Sequence, residues 1–166
     1  MSKFAASLAV ATVLLSASAI AETAKPTVVL VHGAFADSSS WNGVTQILQK
    51  DGYNVVAAAN PLRSVSTDAA YVSSVVNNIK GPVVLVGHSY GGQVITNAAL
   101  DTNNVKSLVY VAAFAPDAGE AAADLAGKFP GGTLGQALAA PVKLADGSVD
   151  LSIDQAKFHQ QFAHDV

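Results

Sequence analysis

The residues best suited to chemistry lie at Gly87-His88-Ser89-Tyr90-Gly91, where glycines stand two positions before and two positions after a serine. G-x-S-x-G is the spacing of a nucleophile elbow, a turn so tight that the serine takes strained backbone geometry and presents its hydroxyl. A Cβ on either glycine would collide with the neighbouring strand or helix, so both positions must be bare. A serine presented in this way attacks carbonyl carbon, and it needs a base for its proton and N–H donors for the oxyanion that forms. Two other uses of the glycines fail on the residues present. Gly87 and Gly92 have the first spacing of a phosphate loop, but Gln93 and Val94 stand where the lysine and hydroxyl should be. Ser89 itself blocks the dinucleotide fingerprint, because it occupies the place of the second glycine, where a pyrophosphate must approach the backbone.

An elbow needs a strand feeding it and a helix leaving it, and both patterns are present. "PVVLVGH" (82–88) is a short apolar run, and Val94, Ile95, Ala98 and Ala99 recur at helical spacing after it. "TVVLVHG" (27–33), "YNVVAAA" (53–59) and "VKSLVYVAAF" (105–114) are further valine-rich runs. Continuous apolar character, in place of alternation, marks strands covered on both faces. Between them, Trp41, Val44, Ile47 and Leu48 fall on one helical face. Val72, Val75, Val76 and Ile79 do the same, with Ser66 or Thr67 as the expected N-cap. Strands alternating with helices at this spacing predict an α/β fold: a parallel sheet of about four strands with helices on both faces. After Phe114 the pattern changes to alanine, glycine and three of the six prolines, which predicts a cap-like excursion from about residue 117. A final helix is expected from Ser152, where Ser152 and Gln155 have capping-box spacing and Phe158 and Phe162 lie one turn apart.

Composition narrows the function classes. The 166 residues are 51% hydrophobic and 13% charged, which suits one packed domain and argues against a disordered chain. A net charge of −3, with nine lysines and arginines that do not cluster, offers no footprint for nucleic acid. The absence of cysteine removes disulfides, thiol nucleophiles and cysteine metal sites together. At the start, Lys3, the run "FAASLAVATVLL" and Ala19-Ile20-Ala21 follow the order of a secretory signal peptide, with cleavage expected before Glu22. The apolar run is shorter than the roughly 20 residues that span a bilayer. Residues 1–21 are therefore expected to be removed, leaving no stable membrane anchor, residues 22–166 as the domain, and a periplasmic or secreted location.

"VVLVHGAFADSSSW", "VVLVGHSYGGQVITNAA" and "VKSLVYVAAFAPDAGE" resemble the α/β-hydrolase superfamily, in particular its small esterase-like branch, which is similar to plant hydroxynitrile lyases and methylesterases. The resemblance spans most of Thr27 to Glu120. It implies Ser89 as catalytic nucleophile, the backbone N–H groups of Ala34 and Tyr90 as oxyanion donors, and a small-molecule ester as substrate. It implies no metal and no organic cofactor. It also implies two further strands carrying an acid and a histidine, in the order Ser, Asp or Glu, His, where this chain of 166 residues stops. The expectation is thus a chain truncated at its C-terminus, with a poor or absent esterase activity. His32 and His88 have expected structural roles beside the elbow, and His159 and His164 are expected on a solvated helix. Asp117, just past the fourth strand, is a weak acid candidate. A non-catalytic binder of small apolar ligands and a hydroxynitrile-lyase-like enzyme are the alternatives.

Overall fold

The computed structural model describes residues 25–165; the expected export leader lies outside them. Four parallel strands, β1 (Thr27–Val31), β2 (Val55–Ala58), β3 (Val83–His88) and β4 (Val105–Val111), form one sheet in the order β2-β1-β3-β4. Each lies within a valine-rich run of the sequence. The central pair β1 and β3 runs in unbroken register from Thr27 opposite Val83 to Val31 opposite Gly87. That register delivers the ends of both strands, and hence His32 and Ser89, to the same edge of the sheet.

Alternate residues face opposite layers. Val29, Val31, Val83 and Leu85 pack against α2 (Val65–Asn77) and α3 (Tyr90–Ala98), meeting Val72, Val76, Val94 and Ile95, all fully buried. Val28, Leu30 and Val86 turn the other way, toward Trp41 in the 3-10 turn Ser38–Trp41 and toward Leu48 in α1 (Asn42–Lys50). Helices thus cover both faces, as the valine runs require. The cover on the α1 side is thinner than the periodicity predicts. Trp41 is buried, but Val44 and Ile47 remain exposed, Ile47 at 63%. Another cap also differs: Ser64, not Ser66 or Thr67, caps α2, its Oγ accepting from the Thr67 N–H at 3.2 Å. Ser64 has extended backbone angles, which an N-cap needs, whereas Ser66 and Thr67 are already inside the helix.

Strand β4 is the least covered. Val109, Tyr110 and Val111 are each at least 37% exposed, and among the described residues no strand pairs with its outer edge. From Asp117 the chain leaves the sheet through α4 (Ala122–Gly127), a two-residue hairpin of β5 (Val142–Lys143) and β6 (Val149–Asp150), and α5 (Gln155–Gln161). Asp154, not Ser152, caps α5, because its carboxylate accepts from the Ala156 N–H at 2.9 Å while Ser152 is still committed to pairing with Ala139. The excursion folds on itself around buried Ala137 and Ile153, helped by a bridge between Leu138 and Ile153. It is a small structure that meets the rest of the chain through Asp150 with Arg63, the Glu120 carbonyl with Gln93, and Phe162 with Phe35. Among the described residues no helix is long and apolar enough to cross a membrane.

Candidate active site

Ser89 stands between the last residue of β3 and the first of α3, with φ 53° and ψ −123°. A non-glycine residue in that region costs on the order of 1–3 kcal/mol and persists only where surrounding contacts impose it. Those contacts are visible. The Ser89 carbonyl accepts from the Gly92 N–H at 3.0 Å and from the Phe114 N–H at 3.1 Å, tying the turn both to its own helix and to the segment after β4. Four glycines allow the approach. A Cβ on Gly33 would lie 2.8 Å from Ser89 Cβ, one on Gly87 would lie 2.5 Å from the Gly91 carbonyl oxygen, and one on Gly91 would lie 2.5 Å from the Val31 carbonyl oxygen. Gly92 is pressed equally closely against Phe114. Real Cβ atoms do not tolerate these distances, so β1, β3, α3 and the exit of β4 interlock through bare backbone.

The strained angles also decide where the serine hydroxyl goes. A serine at a helix N-cap ordinarily accepts a hydrogen bond from the first turn, but Ser89 makes no side-chain cap bond. Its Oγ is left for other use, and the first N–H groups of α3 keep their orphan donors. The Tyr90 N–H is one of these. Ala34, next after the Gly33 that touches Ser89, makes no hydrogen bond from its N–H to another backbone carbonyl among the described residues. Ala34 and Tyr90 thus follow directly, in sequence, the Gly33 and Ser89 that meet at the elbow.

The neighbouring histidines serve the scaffold. His32 is buried, with Nδ1 2.9 Å from the Gly33 carbonyl oxygen, and its own carbonyl accepts from Asn60 Nδ2 at 3.3 Å. His88 sets its ring edge-on to Trp41 with centroids 6.4 Å apart, and burial holds it below the ordinary histidine pKa. His159 and His164 lie exposed on and after α5, rings 5.8 Å apart. Asp117 is exposed in the turn before α4, its N–H donating to Glu120 Oε2. None of these five positions is brought into a hydrogen-bonded relay with Ser89 among the described residues.

One residue beside the elbow escaped the sequence reading. Asp68 is fully buried, and its carboxylate accepts from the Tyr90 hydroxyl at 2.9 Å and from the Arg63 N–H at 3.0 Å. Desolvation, and then the hydrogen bond and charge of Asp68, push the Tyr90 phenol well above its usual range, so it is neutral at any ordinary pH. The signal was available: Asp68, Val72 and Val76 share one helical face, and a carboxylate on an apolar stripe must have a donor waiting. Beside Tyr90 a cavity of about 440 Å³ opens. Ala34 and Tyr90 line it together with Leu62 and Val65 and with Val149 and Leu151 of the excursion; Ser89 itself is not among its lining residues.

Fold and elbow together define an α/β protein built around a presented serine, and comparison with known proteins gives that class its name. Residues 28–165 match the model of the alpha/beta hydrolase family, so the chain belongs to that family. It is 31% identical over 105 residues to a carbendazim-hydrolysing esterase of a Nocardioides species, covering 55% of this chain and 43% of that protein. Among solved structures, a pyrethroid hydrolase from Sphingobium faniae superposes with a TM-score of 0.67 at 21% identity, covering 84% of this chain and 61% of that one. An extracellular α/β-hydrolase from a Paenibacillus species matches at 25% identity with a TM-score of 0.57, over 68% of this chain and 50% of that chain. The chain thus spans roughly half the length of these relatives.

Proposed function

We propose that this chain carries the nucleophile and oxyanion half of a serine ester hydrolase. Ser89 Oγ attacks the ester carbonyl and gives up its proton, to a base in a complete site or to solvent water here. The Ala34 and Tyr90 N–H groups hold the developing oxyanion, and collapse expels the alkoxide, which takes a proton from the same carrier and leaves an acyl-serine that water hydrolyses. The observation that carries this reading is the Ser89 backbone at φ 53°, which spends conformational energy to free a hydroxyl that an ordinary N-cap would engage. The esterase name of the Nocardioides relative supports the bond class. The excursion after residue 117 then serves as a partial cap over the cavity. The leader pattern at 1–21 supports a periplasmic or secreted location, and protein recovered outside the cytoplasm should begin at Glu22 by intact mass.

A base for the Ser89 proton is the missing element, since none of His32, His88, His159 or His164 hydrogen-bonds to Ser89 among the described residues. An oxyanion site without its base still leaves a residual acceleration of about 10³–10⁴ over water. The chain should therefore hydrolyse a short-chain aryl ester well below the usual enzymatic range of about 1–10³ s⁻¹. That residual rate comes from the oxyanion donors and binding, so Ser89→Ala should leave it nearly unchanged, while prolonged fluorophosphonate treatment should place its adduct on Ser89 of the parent. A parent that gains no adduct, or gains it on another residue, would overturn the proposal. Loss of turnover in His159→Ala or His164→Ala alone would identify that histidine as the base.

A further inference from the structure

Among the described residues, one ion pair in the lining of the cavity beside the elbow joins the sheet scaffold to the excursion. Arg63, in the loop between β2 and α2, reaches Asp150 at the end of β6, with Nη1 3.0 Å from Oδ1. Both residues line the cavity. Arg63 is held along its length: its N–H donates to buried Asp68, and its Nε donates to the Pro61 carbonyl at 3.3 Å. Leu62, just before it, takes a left-handed φ of 57°, so the loop is turned to offer Arg63 in this direction. Two other carboxylates lie near this pair. Asp68 is buried and bonded to the Tyr90 hydroxyl and the Arg63 N–H, and Asp146, on the hairpin turn before β6, accepts from the Ser148 N–H and hydroxyl and also feels the Arg63 charge. Leu62, Val65, Val149 and Leu151 supply the apolar remainder.

We propose that the Arg63–Asp150 pair is the specificity-determining element of the cavity: by cancelling each other's charge, the two side chains make it select uncharged esters. This rests on the ester-hydrolase reading of the same site, and it adds the class of substrate. A neutral ligand meets apolar walls and a satisfied pair. A carboxylate-bearing ligand must displace Asp150 from Arg63 or lie against its oxygens, and an ammonium-bearing ligand meets the mirror problem. The side chains are 52% and 48% exposed, so each charge is partly screened and the selectivity is moderate. Removing one partner should shift the preference toward the ligand of opposite charge to the survivor instead of merely weakening binding, because the survivor loses its nearest counter-charge.

The test uses Ser89→Ala protein and three matched probes: dimethyl terephthalate, monomethyl terephthalate and methyl 4-(aminomethyl)benzoate. Competition against a fluorescent apolar probe at about 10 mM salt, where screening is weak, gives relative affinities. The neutral diester should bind best to the Arg63–Asp150 protein. Asp150→Asn should improve the monoacid about 3- to 10-fold relative to the diester, and Arg63→Gln should do the same for the amine. The exchanged pair, Arg63→Asp with Asp150→Arg, should restore the neutral preference and show that both changes are tolerated by the fold. Both shifts should shrink in 0.3 M salt. Ratios that stay within about 2-fold in both single variants would overturn the proposal, as would a charged probe binding best before substitution or no probe binding at all. Because turnover is not measured, an unreactive Ser89 would count against the hydrolase reading and leave this result standing.

Discussion

The elbow and the excursion that faces it across the cavity are built on opposite principles. Around Ser89 four glycines bring backbone against backbone at distances no side chain could share, and every element of the sheet's active edge is locked to another. The excursion is held to the scaffold by separable contacts: the Arg63–Asp150 pair, a hydrogen bond from Gln93 Nε2 to the Glu120 carbonyl, and the edge contact of Phe35 with Phe162 at 6.2 Å. It also leaves large apolar side chains in solvent, Phe129 at 77% and Val142 at 56%. On the proposed reading, rigid placement belongs where a bond is to be attacked, while the excursion is attached by contacts that can change one at a time.

Substitutions can probe that difference, and the largest effect belongs to the elbow. Gly87→Ala places a methyl group against the Gly91 carbonyl, which no rotamer can relieve. It should destabilise the chain by about 3 kcal/mol or more, at the upper end of overpacking costs, read as a fall in the denaturation midpoint; an unchanged midpoint would show that the elbow can yield. Ser89→Gly should act oppositely, gaining about 1 kcal/mol by releasing the strained backbone while losing all serine-dependent chemistry. If Ser89→Gly is no more stable than Ser89→Ala, the strain is not paid from folding energy.

Smaller effects belong to the excursion and to the margin of the elbow. Phe162→Ala removes an edge contact of about 1 kcal/mol and should speed proteolysis within residues 117–165 while leaving the melting of the sheet nearly unchanged. A matched fall in global stability would mean that the two regions fold as one unit. The smallest effect is at His88. Burial lowers its pKa, so the folded state prefers neutral imidazole. The stability this contributes is complete above the unfolded value of about 6.5 and is lost as pH falls from there through the lower folded value. His88→Gln should flatten that acid-side decline, as seen in unfolding midpoints between about pH 7 and pH 5.

The order of elements was legible because buried parallel strands and amphipathic helices write different periods into the chain. All four valine runs became the sheet, and Ser89 fell at the turn that the G-x-S-x-G spacing predicts. Details failed where local pattern and tertiary cover diverge. Val44 and Ile47 have core spacing but no layer above them, and Ser66 and Thr67 are good capping residues that entered the helix because Ser64 was better placed. The cavity lining was not legible at all, since residues 62–65 and residues 149–151 are 84 residues or more apart and meet only through packing.

By itself the sequence determined the α/β class, the four parallel strands and the place of Ser89 at a strand-to-helix turn, because strand burial, helix period and glycine spacing are local properties that survive without knowing what packs on what. Only the tertiary structure decided that Asp68 would anchor Tyr90 and that Arg63 would meet Asp150 beside a cavity. Those outcomes depend on which distant surfaces come together, and side chains such as Asp68 or Arg63 carry no mark of their partners until the backbone has brought them within hydrogen-bonding reach.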